Sequence, residues 1–301
     1  MLRLAVATRA ETFERMQAPL SERGIEVTHL ETSSRAISIP ASGDEDGTPE
    51  MGAVSPFDTA CDVGFVFPSR MAEGGVADAL LDVPWVNGRE EVLRSRHKGE
   101  ALARLGNADV PVPETVVISN PTNEATLAEV FESFEPPVVV KPNATTRGTG
   151  VAKAHDLDSF LGICDYLDLV HDYRATGDRS FLVQEYLPDA RDYRAMVVDG
   201  QYVGAVERRL PDGKRQKGQW KHNVHRGARA TGIELPERLQ DLSERVARTL
   251  DIPYLGVDLL ASEDRVLVNE TNARPTIDDA TKYEDGFWDR LADLVERTAN
   301  Q

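Results

Sequence analysis

Residues 256–275 read Gly256-Val257-Asp258-Leu259-Leu260-Ala261-Ser262-Glu263-Asp264-Arg265-Val266-Leu267-Val268-Asn269-Glu270-Thr271-Asn272-Ala273-Arg274-Pro275. Two short apolar runs flank the polar turn Ser262-Glu263-Asp264-Arg265, which is the pattern of a β-hairpin. Side chains alternate with period two along a strand, so Val268, Glu270 and Asn272 are expected on one face. With the turn centred near Asp264, Asp258 falls opposite Glu270. Like charges placed directly across a strand pair destabilise a sheet. A divalent cation held by Asp258, Glu270 and the Asn272 carbonyl would offset that repulsion. Oxygen-only ligands suit Mg²⁺ or Mn²⁺ rather than zinc. Alternatively the face is solvated and the carboxylates never meet. The stretch alone leaves both open.

At 301 residues, with 41% hydrophobic and 28% charged residues, the chain can bury the cores of two or three lobes and is not disordered. No apolar run approaches the ~18 to 20 residues of a membrane span. Residues 1–8 are cut off by Arg9 and Glu11 too early for a signal peptide. Cys61 and Cys164 lie far apart without metal-ligand spacing, which disfavours a disulfide scaffold or a zinc site; a reducing cytoplasm is expected. The net charge of −17 comes with 7 Lys against 27 Arg. Such an acidic, lysine-poor surface is expected in a high-salt cytoplasm, where screening weakens self-repulsion, and it argues against nucleic acid as a partner. Residues 205–230 reverse the trend. They carry Arg208, Arg209, Lys214, Arg215, Lys217, Lys221, Arg226 and Arg229 against Glu207 and Asp212, a balance of +6. That segment is either a solvated basic loop or an anion-binding rim.

In chain order, residues 2–8 are expected as a strand, followed by a helix to about Arg23 and a second strand over 26–30. This β-α-β start suggests a parallel sheet. It has no G-x-G-x-x-G turn, so a dinucleotide site is unsupported there. Residues 38–56 read as a surface loop, 62–67 as a buried strand and 74–81 as a helix. Asn87-Gly88 signals a turn and the first boundary. One long helix is expected over 90–108, with strands over 115–118 and 138–142, and helices over 127–134 and 158–170. A strand follows over 181–187, then a hairpin over 193–207 turning at Asp199-Gly200. Residues 236–250 form an amphipathic helix with Leu239, Leu242, Val246 and Leu250 on its core face. A last helix, 286–298, packs back on the sheet. The expected division is 1–88, 89–186 and 187–301.

Chemistry gathers at a few places. Residues 143–151 are a Thr- and Gly-rich loop after an apolar strand, able to cradle phosphate on backbone N–H groups but not a P-loop. Taken alone it is better explained as a plain turn. Lys141 ends the strand before it, and a lysine there calls for an anion. Asp192 and Arg194 share one side of a strand, either as a structural ion pair or as site residues. His222 and His225 lack a third ligand, so zinc is disfavoured. No Ser-His-Asp or Cys-His arrangement stands out.

Together these segments resemble the ATP-grasp superfamily, and within it the RimK-like glutamate and amino-acid ligases. The resemblance covers residues 84–275, and more loosely the N-terminal lobe. Asn87 with Arg94-Ser95-Arg96-His97-Lys98 resembles the segment with the first ATP lysine, and Val139-Val140-Lys141-Pro142 the second. Arg147-Gly148-Thr149-Gly150-Val151 is similar to the loop over the phosphates. Gln184-Glu185-Tyr186-Leu187 is similar to the adenine and ribose hinge. Asp192-Tyr193-Arg194 matches a D-x-R motif, and Ala205-Val206-Glu207-Arg208 the strand with a phosphate-facing arginine. Asn223-Val224-His225-Arg226-Gly227 is close to N-x-H-R-G. Gly256-Val257-Asp258 and Asn269-Glu270-Thr271-Asn272 match two magnesium strands.

The resemblance implies an ATP-grasp fold, two α+β lobes clasping ATP, preceded by a Rossmann-like α/β domain. It implies ATP bound by Lys98, Lys141, Arg147, Gly148, Gly150, Gln184, Glu185, Tyr186, Leu187, Asp192, Arg194, Arg208 and Asn223. One or two Mg²⁺ or Mn²⁺ ions would sit on Asp258, Glu270 and Asn272. Lys141, Arg208 and Arg226 would carry the chemistry, an amide synthesis through an acyl phosphate. The implied partners are an amino acid, glutamate first, and an anionic carboxylate acceptor on a protein tail, carrier or cofactor. Nucleic acid and membrane are not expected, and a homo-oligomer is left open. Other outcomes are a nucleotide-binding protein without ligase activity, or an ATP-grasp reaction such as carboxylation. The chain departs from the family at Thr145-Thr146, where Gly-Ser or Gly-Thr is usual. It departs in a longer 208–223 stretch, a slightly shorter 185–192 stretch, and Ala273-Arg274-Pro275-Thr276 after the last metal strand. Arg274 and Thr276 are where the acceptor is expected to be read.

Overall fold

The computed structural model describes residues 1–8, 10–33, 36–37, 39, 60–145, 148–171, 178–215, 217–222, 224 and 227–301. The loop expected over 38–56 falls outside them apart from residue 39. The chain opens with β1 (Leu2–Val6), α1 (Ala10–Ser21) and β2 (Ile25–His29), with β2 parallel to β1. β3 (Val63–Phe65), α2 (Met71–Leu81) and β4 (Trp85–Val86) complete a parallel sheet in the order β2-β1-β3-β4. Leu4, Val6, Val63 and Phe65 are fully buried, which explains why β1 and β3 read as continuous apolar runs rather than alternating ones.

The single helix expected over 90–108 is two helices, α3 (Arg89–Arg96) and α4 (Lys98–Asn107), parted at His97 with an extended backbone of φ −80 and ψ 92. A tertiary contact competes with helix continuation at this point. The Lys98 N–H donates to the Asn143 carbonyl at 3.2 Å, and the Gly99 N–H to Asn143 Oδ1 at 2.9 Å. The unpaired N–H groups that open a helix are thus satisfied by a loop 44 and 45 residues away. Both helices pack on α8 (Glu237–Leu250) and β13 (Val266–Asn272).

β5 (Thr115–Ser119), α5 (Glu124–Glu132), β6 (Val138–Pro142), β7 (Ala152–Ala154), α6 (Leu157–His171) and β8 (Ser180–Glu185) form an antiparallel sheet in the order β5-β8-β6-β7. β7 has no counterpart among the expected strands. This unit has its own core, with Phe131, Phe160, Phe181 and Val183 inside.

The third sheet holds β9 (Arg191–Val198), β10 (Gln201–Arg209), β11 (Arg229–Ile233), β12 (Tyr254–Ala261) and β13 (Val266–Asn272) in the order β11-β10-β9-β12-β13, with β14 (Lys282–Tyr283) beside β10. The short α7 (Asp212–Arg215) follows β10. The β9–β10 turn is Asp199 at φ 53 and Gly200 at φ 72, the pair of left-handed residues a type I′ turn requires. α8 (Glu237–Leu250) buries Leu239, Val246 and Leu250, each fully buried side chain contributing about 1.5–3 kcal/mol. α9 (Phe287–Ala299) brings Leu291 and Val295 between the first and third sheets, so one core runs through both. Asn87 fastens that junction: its amide donates to the Ala273 carbonyl at 2.7 Å, and its Oδ1 accepts from the Tyr254 N–H at 3.2 Å. No helix among the described residues is long and apolar enough to cross a membrane.

Candidate functional site

A cleft of about 550 Å³ opens between the second and third sheets. On its β6 side Lys141 is 4% exposed and donates to Gln184 Oε1 at 2.7 Å and Asn269 Oδ1 at 3.3 Å. Gln184 is itself fixed, its amide donating to the Thr115 hydroxyl at 2.8 Å. Burial pushes the Lys141 ammonium down to about 8, helped by the Lys98 charge and opposed by Glu270 and Asp258. Lys98, from the first turn of α4, donates to the Thr145 carbonyl and lies 3.5 Å from Glu270 Oε1. The helix break at His97 therefore decides where Lys98 points. Gly148 lines the cleft. Gly150 has φ +74, and a Cβ on it would lie 2.7 Å from the Pro142 ring, so only glycine fits. Thr145 stiffens this loop by donating to the Thr149 carbonyl at 2.9 Å.

On the third sheet four charged side chains interlock across three strands. Asp192 and Arg194 do not pair with each other. Arg194 lies beside Asp258 in register and grips it with two bonds, Nε to Oδ1 at 2.6 Å and Nη2 to Oδ2 at 2.8 Å. Arg208 lies beside Asp192, donates to its Oδ1 from Nε at 2.7 Å, and reaches Asp258 Oδ2 at 3.0 Å. Burial would raise the Asp258 carboxyl, but the two guanidiniums outweigh it and hold it down at about 2. Asp192 has the weaker share of cation: burial lifts it to about 6, aided by the Asp258 charge and opposed by Arg208. Burial works against charge on Arg208 as well, yet Asp258 and Asp192 keep it above its ordinary value.

Asp258 stands opposite Glu270, as the hairpin spacing predicts. The expected face of Val268, Glu270 and Asn272 needs correction, because the register slips between Asp258 and Leu259, where Leu259 pairs with Val268. Asn269 is the extra residue of a β-bulge. Val268 therefore joins Leu259 in the core, while Asn269 and Glu270 both line the cleft. Period-two reading missed Asn269 because a bulge leaves no mark in a single strand's pattern. The Asp258–Glu270 repulsion is offset here by Lys98 on Glu270 and by the two guanidiniums on Asp258. Asn272 follows on the Glu270 side, opposite Gly256, with its Oδ1 accepting the Arg274 N–H at 2.9 Å.

Gln184, Glu185, Tyr186 and Leu187, expected as the adenine and ribose hinge, line the cleft as well. Glu185 accepts the Glu114 N–H at 2.9 Å and pairs with Arg265. Lys153 lies 4.4 Å over the Tyr186 ring, and Trp220 stands edge-on to that ring at 5.8 Å. Neither Lys153 nor Trp220 carried a sequence signal. From the basic segment, Arg208, Arg209, Lys221 and His222 line the cleft. Arg147, Asn223 and Arg226 lie outside the described residues, with His225.

Arg274 is not in the cleft. Its guanidinium donates to the Ala7 carbonyl at 2.7 Å, to Val66 at 3.2 Å, and to Phe67, all at the ends of β1 and β3. Val66 is a buried β-branched residue at φ 62, a conformation such side chains rarely take.

A family model described as a RimK-like ATP-grasp domain matches residues 95–286. The chain is 30% identical over 200 residues to the ribosomal protein bS6–L-glutamate ligase of Escherichia fergusonii, covering 64% of this chain and 60% of that protein. It is 31% identical over 194 residues to a probable alpha-L-glutamate ligase of Xanthomonas campestris, covering 64% and 62%. The match thus spans less than two thirds of those relatives. Among solved structures, D-alanine–D-alanine ligase from Bacillus anthracis complexed with ATP superposes with a TM-score of 0.68 at 16% identity, covering 100% of this chain and 98% of that one. A RimK domain ATP-grasp protein from Sphaerobacter thermophilus superposes with a TM-score of 0.65 at 23% identity, with the same coverage. These likenesses show the ATP-grasp fold.

Proposed function

The chain belongs to the RimK-like ATP-grasp family, and we propose that it is an ATP-dependent carboxylate–amine ligase. One observation carries the proposal. Lys141, Arg208, Asp258 and Glu270, drawn from β6, β10, β12 and β13, line one cleft, and Lys98 reaches Glu270 there from α4, although the five span more than half the sequence. Such a set suits a triphosphate with its cation, because phosphoryl transfer depends on positioning and charge neutralisation. Adenine and ribose would lie against residues 184–187. The phosphates would draw on Lys98, Lys141, Arg194 and Arg208.

Asp258, Glu270 and the Asn272 carbonyl would offer a hard divalent cation only oxygen, the donor it takes. Mg²⁺ or Mn²⁺ would bring neutralisation of the phosphate oxygens. Both Asp258 oxygens are engaged by guanidiniums here. Those arginines would turn to the phosphates as Asp258 becomes free to ligate.

In the proposed reaction an oxygen of the acceptor carboxylate bonds to the γ-phosphorus while the bond to the β–γ bridging oxygen breaks, releasing ADP. The amine nitrogen of the amino acid then bonds to the acyl carbon, phosphate leaves, and the amine proton passes to solvent. Lys141 and Arg208 neutralise charge on the transferred group, and Arg226 is assigned to the acyl phosphate by its N-x-H-R-G context. Glutamate is the favoured amino acid because relatives are named L-glutamate ligases. Basic side chains along the cleft support an anionic acceptor. The test is ADP release by the full chain with Mg-ATP, each amino acid in turn, and cell extract as acceptor, followed by mass spectrometry. Amino-acid-dependent ADP and an added residue mass are expected, and both should vanish in Glu270→Ala. ATP binding without amino-acid-dependent ADP would overturn the proposal.

A further inference from the structure

At the far end of the hairpin two arginines sit without acids. Arg274 hangs from the Ala7, Val66 and Phe67 carbonyls, and Arg96 Nη2 donates to the Ser69 carbonyl at 2.9 Å. Among the described residues neither has a carboxylate within ion-pair distance. The chain holds 51 acidic residues against 34 Lys and Arg, so acids are not scarce. A guanidinium has five N–H donors, and Arg96, half-buried, uses one on the protein.

Their place in the fold matters as much as their charge. The carbonyl ends of β1 and β3 are the edge at which open parallel sheets take ligands. Val66, whose carbonyl meets Arg274, holds its unfavourable φ of 62 there. Strain of this kind gathers at binding sites. Neither guanidinium lines the cleft, but the chain beside them reaches it: Lys98, two residues on from Arg96, lies 3.5 Å from Glu270 Oε1, and Glu270 lines the cleft. The Ser95 hydroxyl lies 3.1 Å from Thr271 Oγ1 and accepts the Ala273 N–H at 3.0 Å, which seals the end of α3 to the strand just past Glu270.

We propose that Arg96 receives the non-reacting carboxylate of the incoming amino acid, with Arg274 holding a second, fixed positive charge beside it. This rests on the ligase assignment. A planar fork with free donors matches a carboxylate bidentately, and the site lies where the metal-ligand strand meets the first sheet. The competing role for Arg96 is structural, since a cation in the last turn of α3 favours the helix dipole. That role predicts lost stability and unchanged substrate preference.

The two roles separate in steady-state kinetics of the full chain, using whichever amino acid drives ADP release in the wild type, L-glutamate first. Arg96→Gln should raise the KM for that amino acid at least about tenfold. The KM for ATP and the unfolding midpoint should stay put, and the α-carboxamide of the amino acid should lose the wild type's discrimination against it. Arg96→Lys should fall between, because an ammonium is a point charge without a fork. An amino-acid KM in Arg96→Gln within about twofold of wild type, with or without a lower midpoint, would overturn the subsite alone. If the wild type releases no ADP with any amino acid, the ligase assignment fails, and the subsite with it.

Discussion

Two pairs of buried or half-buried arginines in this molecule are held in opposite ways. Arg194 grips Asp258, and Arg208, which lines the cleft, bridges Asp192 and Asp258; the two guanidiniums keep Asp258 ionised, and the two acids keep Arg208 charged against burial. Among the described residues, Arg96 and Arg274, at the end of the first sheet, meet only carbonyl oxygens, and burial lowers both. The difference is one of charge compensation. A carbonyl satisfies an N–H but does not neutralise the ion, so the second pair keeps an uncompensated charge. The first pair is a closed network, which under the proposed function an incoming triphosphate would have to reopen. The second is an open one that an anion would complete.

The sharpest way to break this contrast is to remove the acid at its centre. Asp258→Asn leaves Arg194 without its carboxylate and Arg208 with Asp192 alone, and urea unfolding should show a loss of about 3–5 kcal/mol. A loss below about 1 kcal/mol would mean that the cleft network contributes no more than a surface pair. Lys141 gives a second handle, because its buried ammonium meets the neutral oxygens of Gln184 and Asn269. Its folded value of about 8 lies below the ordinary 10.5, so between these limits the unfolded chain binds the extra proton and stability rises with pH. Relative to Lys141→Met, the wild type should gain up to roughly 3 kcal/mol from pH 8 to 10.5. Parallel stability curves for the two proteins would contradict this. The smallest effect is expected where arginine and acid meet in solvent. Arg265 is 53% exposed beside Glu185, and Arg265→Ala should shift stability by less than about 1 kcal/mol. A larger loss would mean that the hinge depends on that pair.

Much of the fold was legible in local pattern. The β-α-β opening, the Asp199-Gly200 hairpin, the amphipathic α8 and the pairing of Asp258 with Glu270 each follow from spacing and turn chemistry. Failures came where a distant contact overrode a local preference. Helix propensity runs unbroken through His97, but Asn143 captures the next two N–H groups. Alternation runs unbroken through Asn269, but the bulge sends Val268 to the core and Asn269 to Lys141. Arg274 was expected to read the acceptor from beside the metal strand, yet it is fastened to carbonyls of the first sheet, and Arg96 keeps the free donors.

The sequence by itself determined which residue types the site could draw on: lysines at 98 and 141, a glycine-containing loop, and facing carboxylates in one hairpin. Those follow from short-range rules, because strand alternation, turn preference and motif order act over a few residues. Only the tertiary structure decided which charges compensate which. Asp192 passes over its near neighbour Arg194 for Arg208, sixteen residues on, and Arg194 takes Asp258, sixty-four residues on. Electrostatic energy depends on distance and burial in space, and neither is written in the order of the chain.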